Sequence, residues 1–124
     1  MVAETAGADE VLRFGDMEVR PAEYEVLVRG RRVGLTVREF QTFWCLVQRP
    51  DRVVTRPQIY ELVWGGAMSH RDRSVDVFVR KVRQKLAAVA PETVYVHTHF
   101  GVGYRFCPEP GDAASGAAEV SSSA

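Results

Sequence analysis

The chain has 124 residues, 46% of them hydrophobic, and its 16 Lys and Arg residues balance 16 Asp and Glu residues. This length and composition predict one domain with a core that needs neither disulfides nor a metal. No apolar run approaches the ~18 residues of a membrane span, and no signal-peptide pattern opens the chain, so we expect a cytoplasmic protein without a membrane partner. Cys45 and Cys107 form no CxxC pair and are expected to be reduced thiols.

The neutral total hides an uneven distribution of charge. All 16 cations lie between Arg13 and Arg105, whereas only 10 of the 16 acids do, so this stretch carries a net charge of +6. The other acids lie in end segments rich in Ala, Gly and Ser. Such composition predicts disordered tails at residues 1–10 and 108–124, and it leaves residues 11–107 as the folded domain.

The first part of that domain is predicted to be a sheet. Runs with strand character cover residues 11–14, 17–20, 24–28 and 32–35, and turn signals separate them. Connections this short imply an antiparallel meander of four strands.

Two helices are expected next. Thr36 is the N-cap of the first, and Glu39, three residues on, completes a capping box. A two-residue extended piece at Val53 and Val54 precedes the second helix. Thr55 caps that helix. Pro57 is tolerated because amides of the first turn make no hydrogen bond within the helix, so the missing N–H of proline costs none.

The third predicted helix, residues 71–86, is amphipathic and cationic. Val75, Val79, Val82 and Leu86 form one apolar stripe, and the opposite side holds Arg73, Val77, Arg80, Lys81 and Gln84. Residues 71–85 contain six cations against two acids. A helix of this kind can lie in a DNA major groove, where cations meet phosphates and base edges. The alternative is a solvated surface helix.

A hairpin follows the cationic helix. Residues 94–99 alternate as a strand, residues 100–103 turn, and residues 104–106 return, with glycines at 101 and 103 that permit a tight turn. The predicted fold is therefore α+β: a winged helix-turn-helix with an N-terminal four-stranded antiparallel sheet, a three-helix core and a C-terminal β-hairpin wing.

Several motifs in this order carry a family resemblance. They are Leu35-Thr36 with Glu39-Phe40, Arg52-Val53-Val54-Thr55-Arg56, Val63-Trp64-Gly65, Asp72-Arg73-Ser74-Val75-Asp76-Val77, Arg83 with Leu86, and Gly101-Val102-Gly103-Tyr104-Arg105-Phe106. Residues 11–107 resemble the OmpR/PhoB-type DNA-binding domain, the output half of bacterial two-component (phosphorelay) response regulators. The resemblance implies sequence-specific binding of double-stranded DNA in transcription regulation, with the third helix in the major groove and the wing at the minor groove.

The resemblance places the DNA contacts of the third helix at Arg73, Phe78, Arg80, Lys81 and Arg83. Our hypothesis is that Lys81 and one arginine reach base edges, while the others hold phosphates. The alternative for each cation is a surface ion pair with Asp72 or Asp76. Phe78 either packs on a thymine methyl group or covers the edge of the core.

Further contacts are expected outside that helix. Trp64 matches a family tryptophan whose indole N–H can donate to a phosphate, and its minimum role is packing at the end of the second helix. Arg56 is expected to contact a phosphate at the start of the second helix, and Thr98 matches a position that contacts the DNA backbone. The family commonly carries an arginine where this chain has Phe100. Either the wing contributes less here, or Phe100 packs on sugars, or His99 takes part.

The resemblance also implies partners. Relatives dock head to tail on direct repeats, so we expect a tandem dimer on half-sites about 10 base pairs apart. An activator would use the loop after the second helix to contact RNA polymerase, whereas a repressor would not need this contact; the loop comprises Gly66, Ala67, Met68, Ser69, His70 and Arg71. A phosphoacceptor receiver domain precedes the module in relatives. We expect the chain to be either an excised effector domain or a protein that uses the module without a receiver.

Three residue groups suggest other chemistry: His97, His99 and Cys107 as zinc ligands, Ser69, His70 and Asp72 as a hydrolase triad, and Gly101, Val102 and Gly103 as a phosphate-binding loop. The first has too few ligands, the second is adjacent in a loop rather than assembled from separate elements, and the third lacks the strand-loop-helix setting. We therefore expect no metal, no cofactor, no small-molecule ligand and no enzymatic activity. The alternative function is a winged-helix module that binds a protein partner without specific DNA binding.

Overall fold

The computed structural model describes residues 10–111. The elements in chain order are β1 (Leu12–Phe14), β2 (Met17–Arg20), a 3-10 helix (Pro21–Glu23), β3 (Glu25–Val28), β4 (Arg31–Val33), α1 (Val37–Val47), β5 (Val53–Thr55), α2 (Arg56–Val63), α3 (Ser74–Val89), β6 (Thr93–His99) and β7 (Gly103–Pro110). The predicted α+β order of four strands, three helices and a terminal hairpin is confirmed.

The N-terminal strands form the predicted antiparallel meander, in the order β1-β2-β3-β4. Alternate residues of these strands are fully buried on one face, as expected of a sheet that covers a core on one side: Met17, Val19, Val26, Val28 and Val33. The third strand begins at Glu25 rather than at Tyr24, because Tyr24 adopts a left-handed conformation with φ 52° after the 3-10 helix, which the sequence analysis missed.

Both predicted helix caps are present. The Thr36 hydroxyl accepts from the Glu39 amide at 3.2 Å, and the Glu39 carboxylate accepts from the Thr36 amide at 2.8 Å. Thr55 caps α2 in the same reciprocal way with Gln58, a second capping box that was not predicted. These caps satisfy amides that have no partner within the helix.

The predicted boundaries of the third helix, 71–86, are wrong by three residues at each end. α3 begins at Ser74, whose amide donates to the Asp72 carboxylate at 2.7 Å, and Arg73 is its non-helical N-cap with φ −110°. Arg71 and Arg73 therefore lie before the helix. The predicted apolar stripe is confirmed, since its four members are 1–3% exposed: Val75, Val79, Val82 and Leu86.

The hairpin belongs to a three-stranded sheet rather than standing alone. β7 lies in the middle, between β5 and β6, and all pairs are antiparallel. The extended piece at Val53 and Val54 was predicted from the sequence, but its pairing with β7 was not. β7 also continues to Pro110, past the domain boundary expected at residue 107. The expected tails otherwise fall at residues 1–9 and 112–124, outside the described residues.

One aromatic side chain joins the two sheets to the first helix. The Phe106 ring is fully buried, and its centroid lies 4.7 Å from that of Phe14, 5.5 Å from that of Phe43 and 6.4 Å from that of Tyr95. The core is therefore continuous between the meander, α1 and the hairpin. None of the helices in residues 10–111 combines the length and the hydrophobicity of a membrane span.

An ion pair fixes the far half of α3 to the start of α1. The Lys85 ammonium donates to the Glu39 carboxylate at 2.7 Å and to the Gly34 carbonyl at 3.0 Å, and Glu39 is only 3% exposed. Burial alone raises the pKa of Glu39, but hydrogen bonds from Lys85 and from the Thr36 amide outweigh it, so the pKa lies below its ordinary value.

The packing of β7 on β5 predicts that Gly103→Ala destabilises the fold. A Cβ atom at Gly103 would collide with the Val54 carbonyl oxygen and lie 2.7 Å from the Thr55 Cα, both backbone atoms that cannot turn away. We expect the free energy of unfolding to fall by about 3 kcal/mol, measured by urea denaturation. Gly34→Ala is the matched control, because nothing lies within 4 Å of an added Cβ there. Equal stability of the two variants would contradict this packing.

The lowered pKa of Glu39 predicts an acid-sensitive contribution to stability. Because the folded-state pKa lies below the unfolded value, the ionised carboxylate stabilises the fold above the unfolded pKa, and this stabilisation is lost as pH falls through the folded pKa. We expect the wild type to lose more free energy of unfolding than Glu39→Gln between about pH 6 and pH 3. The glutamine keeps an oxygen that can accept from the Thr36 amide. Urea titrations that fall in parallel for both proteins would argue against this role.

Candidate nucleic-acid interface

One face of α3 and the residue before it present an exposed surface opposite the buried stripe. All five residues predicted for the polar side are exposed: Arg73, Val77, Arg80, Lys81 and Gln84. Burial of one side of the helix thus determines which side chains face outward. We call these five residues the reading face.

Three arginines at or near this face are unpaired in the described part of the chain. Arg71, Arg73 and Arg80 are exposed, and their side chains form no ion pair or hydrogen bond with residues 10–111. The ammonium of Lys81 lies 4.8 Å from the centre of the Phe78 ring, a cation–π contact that leaves it open to solvent. The ion pairs considered for Arg73, Arg80 and Lys81 with Asp72 or Asp76 are therefore not formed.

Arg83, by contrast, is directed into the protein. Its guanidinium donates to the Thr98 hydroxyl at 2.9 Å and to the Val96 carbonyl at 3.3 Å, and it lies 5.5 Å from the centre of the Tyr104 ring. Burial lowers the pKa of Arg83 from its ordinary value. Two residues predicted to touch DNA, Arg83 and Thr98, thus contact each other and attach β6 to α3.

Asp76 joins three elements at the base of the wing. Its carboxylate accepts from Arg56 Nε at 2.7 Å and from the Tyr104 hydroxyl at 2.5 Å. Burial raises the pKa of Asp76, but the hydrogen bonds from Tyr104 and Arg56 outweigh burial and lower it, and the same carboxylate raises the pKa of Arg56. α2, α3 and β7 are therefore held together by one carboxylate.

From the sequence, Asp76 was expected only as an ion-pair partner for cations of its own helix. The available signal was an acid within a cationic helix, together with an arginine at the start of α2 and a tyrosine after the hairpin glycines. Sequence spacing did not show that these three groups meet. Their contact is formed only when α2, α3 and β7 pack together.

Trp64 and Phe78 form the contact between the end of α2 and α3. The Trp64 indole stacks on Tyr60 with centroids 5.4 Å apart, and the Phe78 ring meets it edge-on at the same distance. The Arg38 guanidinium lies 5.2 Å from the centre of the Trp64 ring. Phe78 is half-buried in this cluster, as expected of a residue that covers the edge of the core.

The wing tip is apolar. Phe100 is 90% exposed and Val102 is 49% exposed. The turn is closed by the Val102 amide, which donates to the His99 carbonyl at 2.9 Å, and Gly101 supplies the positive φ of 77°. His99 Nε2 accepts from Arg105 Nε at 3.1 Å, so this histidine is engaged within the hairpin.

The loop between α2 and α3 is exposed at Gly66, Ala67, Ser69, His70 and Arg71, whereas Met68 packs partly against the core. Gly65 and Gly66 have φ of 85° and 84°, conformations that favour glycine. His97 Nε2 lies 2.7 Å from the Cys107 carbonyl oxygen. Residues 10–111 contain no group of three His, Cys, Asp or Glu side chains placed to hold a metal ion.

Comparison with known proteins agrees with this geometry. Residues 30–106 match the family described as "Transcriptional regulatory protein, C terminal", which is not an enzyme class. The heme response regulator HssR of Staphylococcus epidermidis is 33% identical over 98 residues, which cover 79% of this chain and 43% of HssR.

Two solved structures share the fold. The DNA-binding domain of RstA from Klebsiella pneumoniae, in complex with the RstA box, has a TM-score of 0.73 and 28% identity, covering 81% of this chain and 99% of that one. The response regulator DrrB of Thermotoga maritima, an OmpR/PhoB homolog, has a TM-score of 0.65 and 29% identity, covering 77% of this chain and 43% of that one. The chain spans 36 to 43% of the length of the curated relatives it matches. It belongs to the family of OmpR/PhoB-type C-terminal domains of transcriptional regulatory proteins.

Proposed function

We propose that this domain binds double-stranded DNA in a sequence-specific manner as the output domain of a bacterial response regulator. α3 enters the major groove with its reading face, and the wing meets the adjacent minor groove. The observation that carries the proposal is the outward display of unpaired cations by Arg73, Arg80 and Lys81 on a helix whose other side is fully buried. DNA phosphates supply the missing counter-charges. Because bacterial DNA lies in the cytoplasm, the proposal implies a cytoplasmic protein.

The internal contacts divide the candidate residues into two roles. Arg73, Arg80 and Lys81 are free to touch DNA directly, whereas Arg83 and Thr98 hold the wing against α3 and border the phosphate backbone. Arg56 uses only Nε for Asp76, so its two terminal nitrogens remain available for a phosphate. The Trp64 indole N–H has no hydrogen-bond partner within residues 10–111, which supports a phosphate contact there as well.

The proposal also includes contacts with other protein copies, with RNA polymerase and with a further domain. We infer head-to-tail dimers on direct repeats, and contact of the exposed loop at residues 66–71 with RNA polymerase when the protein acts as an activator. We also infer that a receiver domain regulates the module. The greater length of the curated relatives supports a further domain in the full protein.

Selection from a random duplex library, followed by titration at several salt concentrations, tests DNA binding. If Arg56, Arg73 and Arg80 each neutralise one phosphate, log K falls with log salt with a slope of about −2.7. We also expect one sequence to bind at least 10³ times more tightly than random duplex. Salt-insensitive binding, or no preferred sequence, would support the protein-interaction module instead.

Lys81 is expected to read a base edge. Lys81→Ala should reduce the ratio of selected to random affinity by about tenfold, because a lost base contact costs about 1–3 kcal/mol on the selected sequence alone. Arg31→Ala is the matched control, since it also removes an exposed cation that is unpaired in the described part of the chain, but from β4. Equal losses on selected and random duplexes would assign Lys81 to a phosphate instead.

A further inference from the structure

The tip of the wing carries two exposed apolar side chains, one of which is almost completely uncovered by residues 10–111. Phe100 is 90% exposed, and Val102, two residues on, is 49% exposed. Single exposed apolar residues are common on protein surfaces and need no explanation. Whether this pair has a binding role therefore depends on its position in the fold and on the residues around it.

The turn is attached to two helices and to β5. The Val102 carbonyl accepts from the Arg56 amide at 3.3 Å, which attaches the turn to the first residue of α2. One residue later, Gly103 lies against the backbone of β5 so closely that no side chain fits between them. Thr98, just before the turn, is bonded to Arg83 of α3. Phe100 thus projects from a turn whose two sides are bonded to α2 and α3.

The chemistry around the tip suits a polyanion. Residues 99–103 include no carboxylate. Arg105 and Arg56 lie at the base of the turn, where Asp51 is 3.7 Å from Arg105 Nη1 and Asp76 binds Arg56 through Nε, which leaves the terminal nitrogens of Arg56 open. Because Arg83 donates to Thr98 and Asp76 accepts from Tyr104, the strands on both sides of the tip are attached to α3, the helix that carries the reading face. With α3 in a major groove, the wing meets the neighbouring minor groove.

We propose that Phe100 is a wedge that inserts from the minor groove between two base pairs and kinks the duplex at that step. This inference rests on the proposed DNA-binding function and names the contact that the wing makes. Minor-groove proteins use phenylalanine and aliphatic side chains in this way, and a phenyl ring gains free energy by stacking on bases. Val102 adds apolar surface beside the opened step.

The wedge carries a sequence preference of its own. Unstacking a base step costs about as much free energy as burying a phenyl ring gains. Insertion is therefore favoured at the base steps whose unstacking costs least. These are the pyrimidine–purine steps TA and CA. An arginine in the same place would be drawn instead to the narrow minor groove of an A-tract. Phe100 thus selects a deformable step, with no hydrogen bond to a base.

Unstacking can be measured directly with the full chain. The probe is a duplex of the selected sequence in which 2-aminopurine replaces, one at a time, each adenine beside the site occupied by α3. The fluorescence of 2-aminopurine rises when this base loses a stacking neighbour. We expect a rise at one step in the minor groove on binding of the wild type and of Val37→Ala. Val37 is a matched control, a 54% exposed apolar side chain on α1. Phe100→Ala should bind roughly tenfold more weakly and give no rise.

The salt dependence separates a wedge from a charge contact. Phe100→Ala should leave the slope of log K against log salt unchanged, whereas Phe100→Arg should make it steeper by about 0.9, because one more phosphate is neutralised. Changing the kinked step from TA to GC should weaken the wild type and leave Phe100→Ala unaffected. A wild type indifferent to this change would overturn the wedge.

The outcomes separate a failure of the Phe100 wedge from a failure of the proposed DNA binding. A wild type that binds no duplex even at low salt overturns both. Tight, sequence-specific binding with no fluorescence rise at any position, or with the same rise in Phe100→Ala, overturns the wedge and leaves the DNA-binding function standing. If Phe100→Ala abolishes self-association measured without DNA and leaves the duplex signals unchanged, the tip is a contact between protein copies, and the wedge is again overturned.

Discussion

Burial of four apolar side chains on one side of α3 is the constraint on which the rest of the structure depends. Val75, Val79, Val82 and Leu86 are 1–3% exposed, so the rotation of the helix about its own axis is fixed by the core. The exposed side then follows from the helical period, and it carries the cations. A different register of the same helix would bury an arginine, which is far more costly than exposing a valine. Hydrophobic packing thus orients the charged surface.

The cations of this region serve two different purposes. Lys85 and Arg83 bind other parts of the protein: Lys85 joins α3 to Glu39 at the start of α1, and Arg83 joins it to Thr98 on the wing. Arg73 and Arg80 remain unpaired at the surface of the described part of the chain. The local charge counted from the sequence therefore overstates what a partner meets. The hydrogen bonds of these two cations instead fix the position of α3 relative to α1 and to the wing.

Local patterns predicted the elements, and contacts distant in sequence remained hidden. The cap at Thr36 and the apolar stripe of α3 follow from spacings of three to eleven residues within a single helix, so the sequence alone is enough to predict them. The start of α3 was misplaced because Asp72, within a run of helix-compatible residues, accepts the Ser74 amide and lets the helix begin there. The pairing of β5 with β7 and the meeting of Arg56, Asp76 and Tyr104 join residues 20 to 52 positions apart. Such partners meet only through the packing of the whole domain, which no local spacing in the sequence records.

The direct passage from β5 into α2 has a consequence for the exchange of parts between related proteins. Thr55 is the last residue of β5 and also the N-cap of α2, so no linker separates the sheet of the wing from the helix-turn-helix. A hairpin transplanted alone would have to pair with a resident β5 and fit its backbone as closely as Gly103 does. The unit that can be grafted onto another scaffold is therefore the continuous segment 53–110. Recognition in this domain is modular at the level of that segment and not at the level of a single helix.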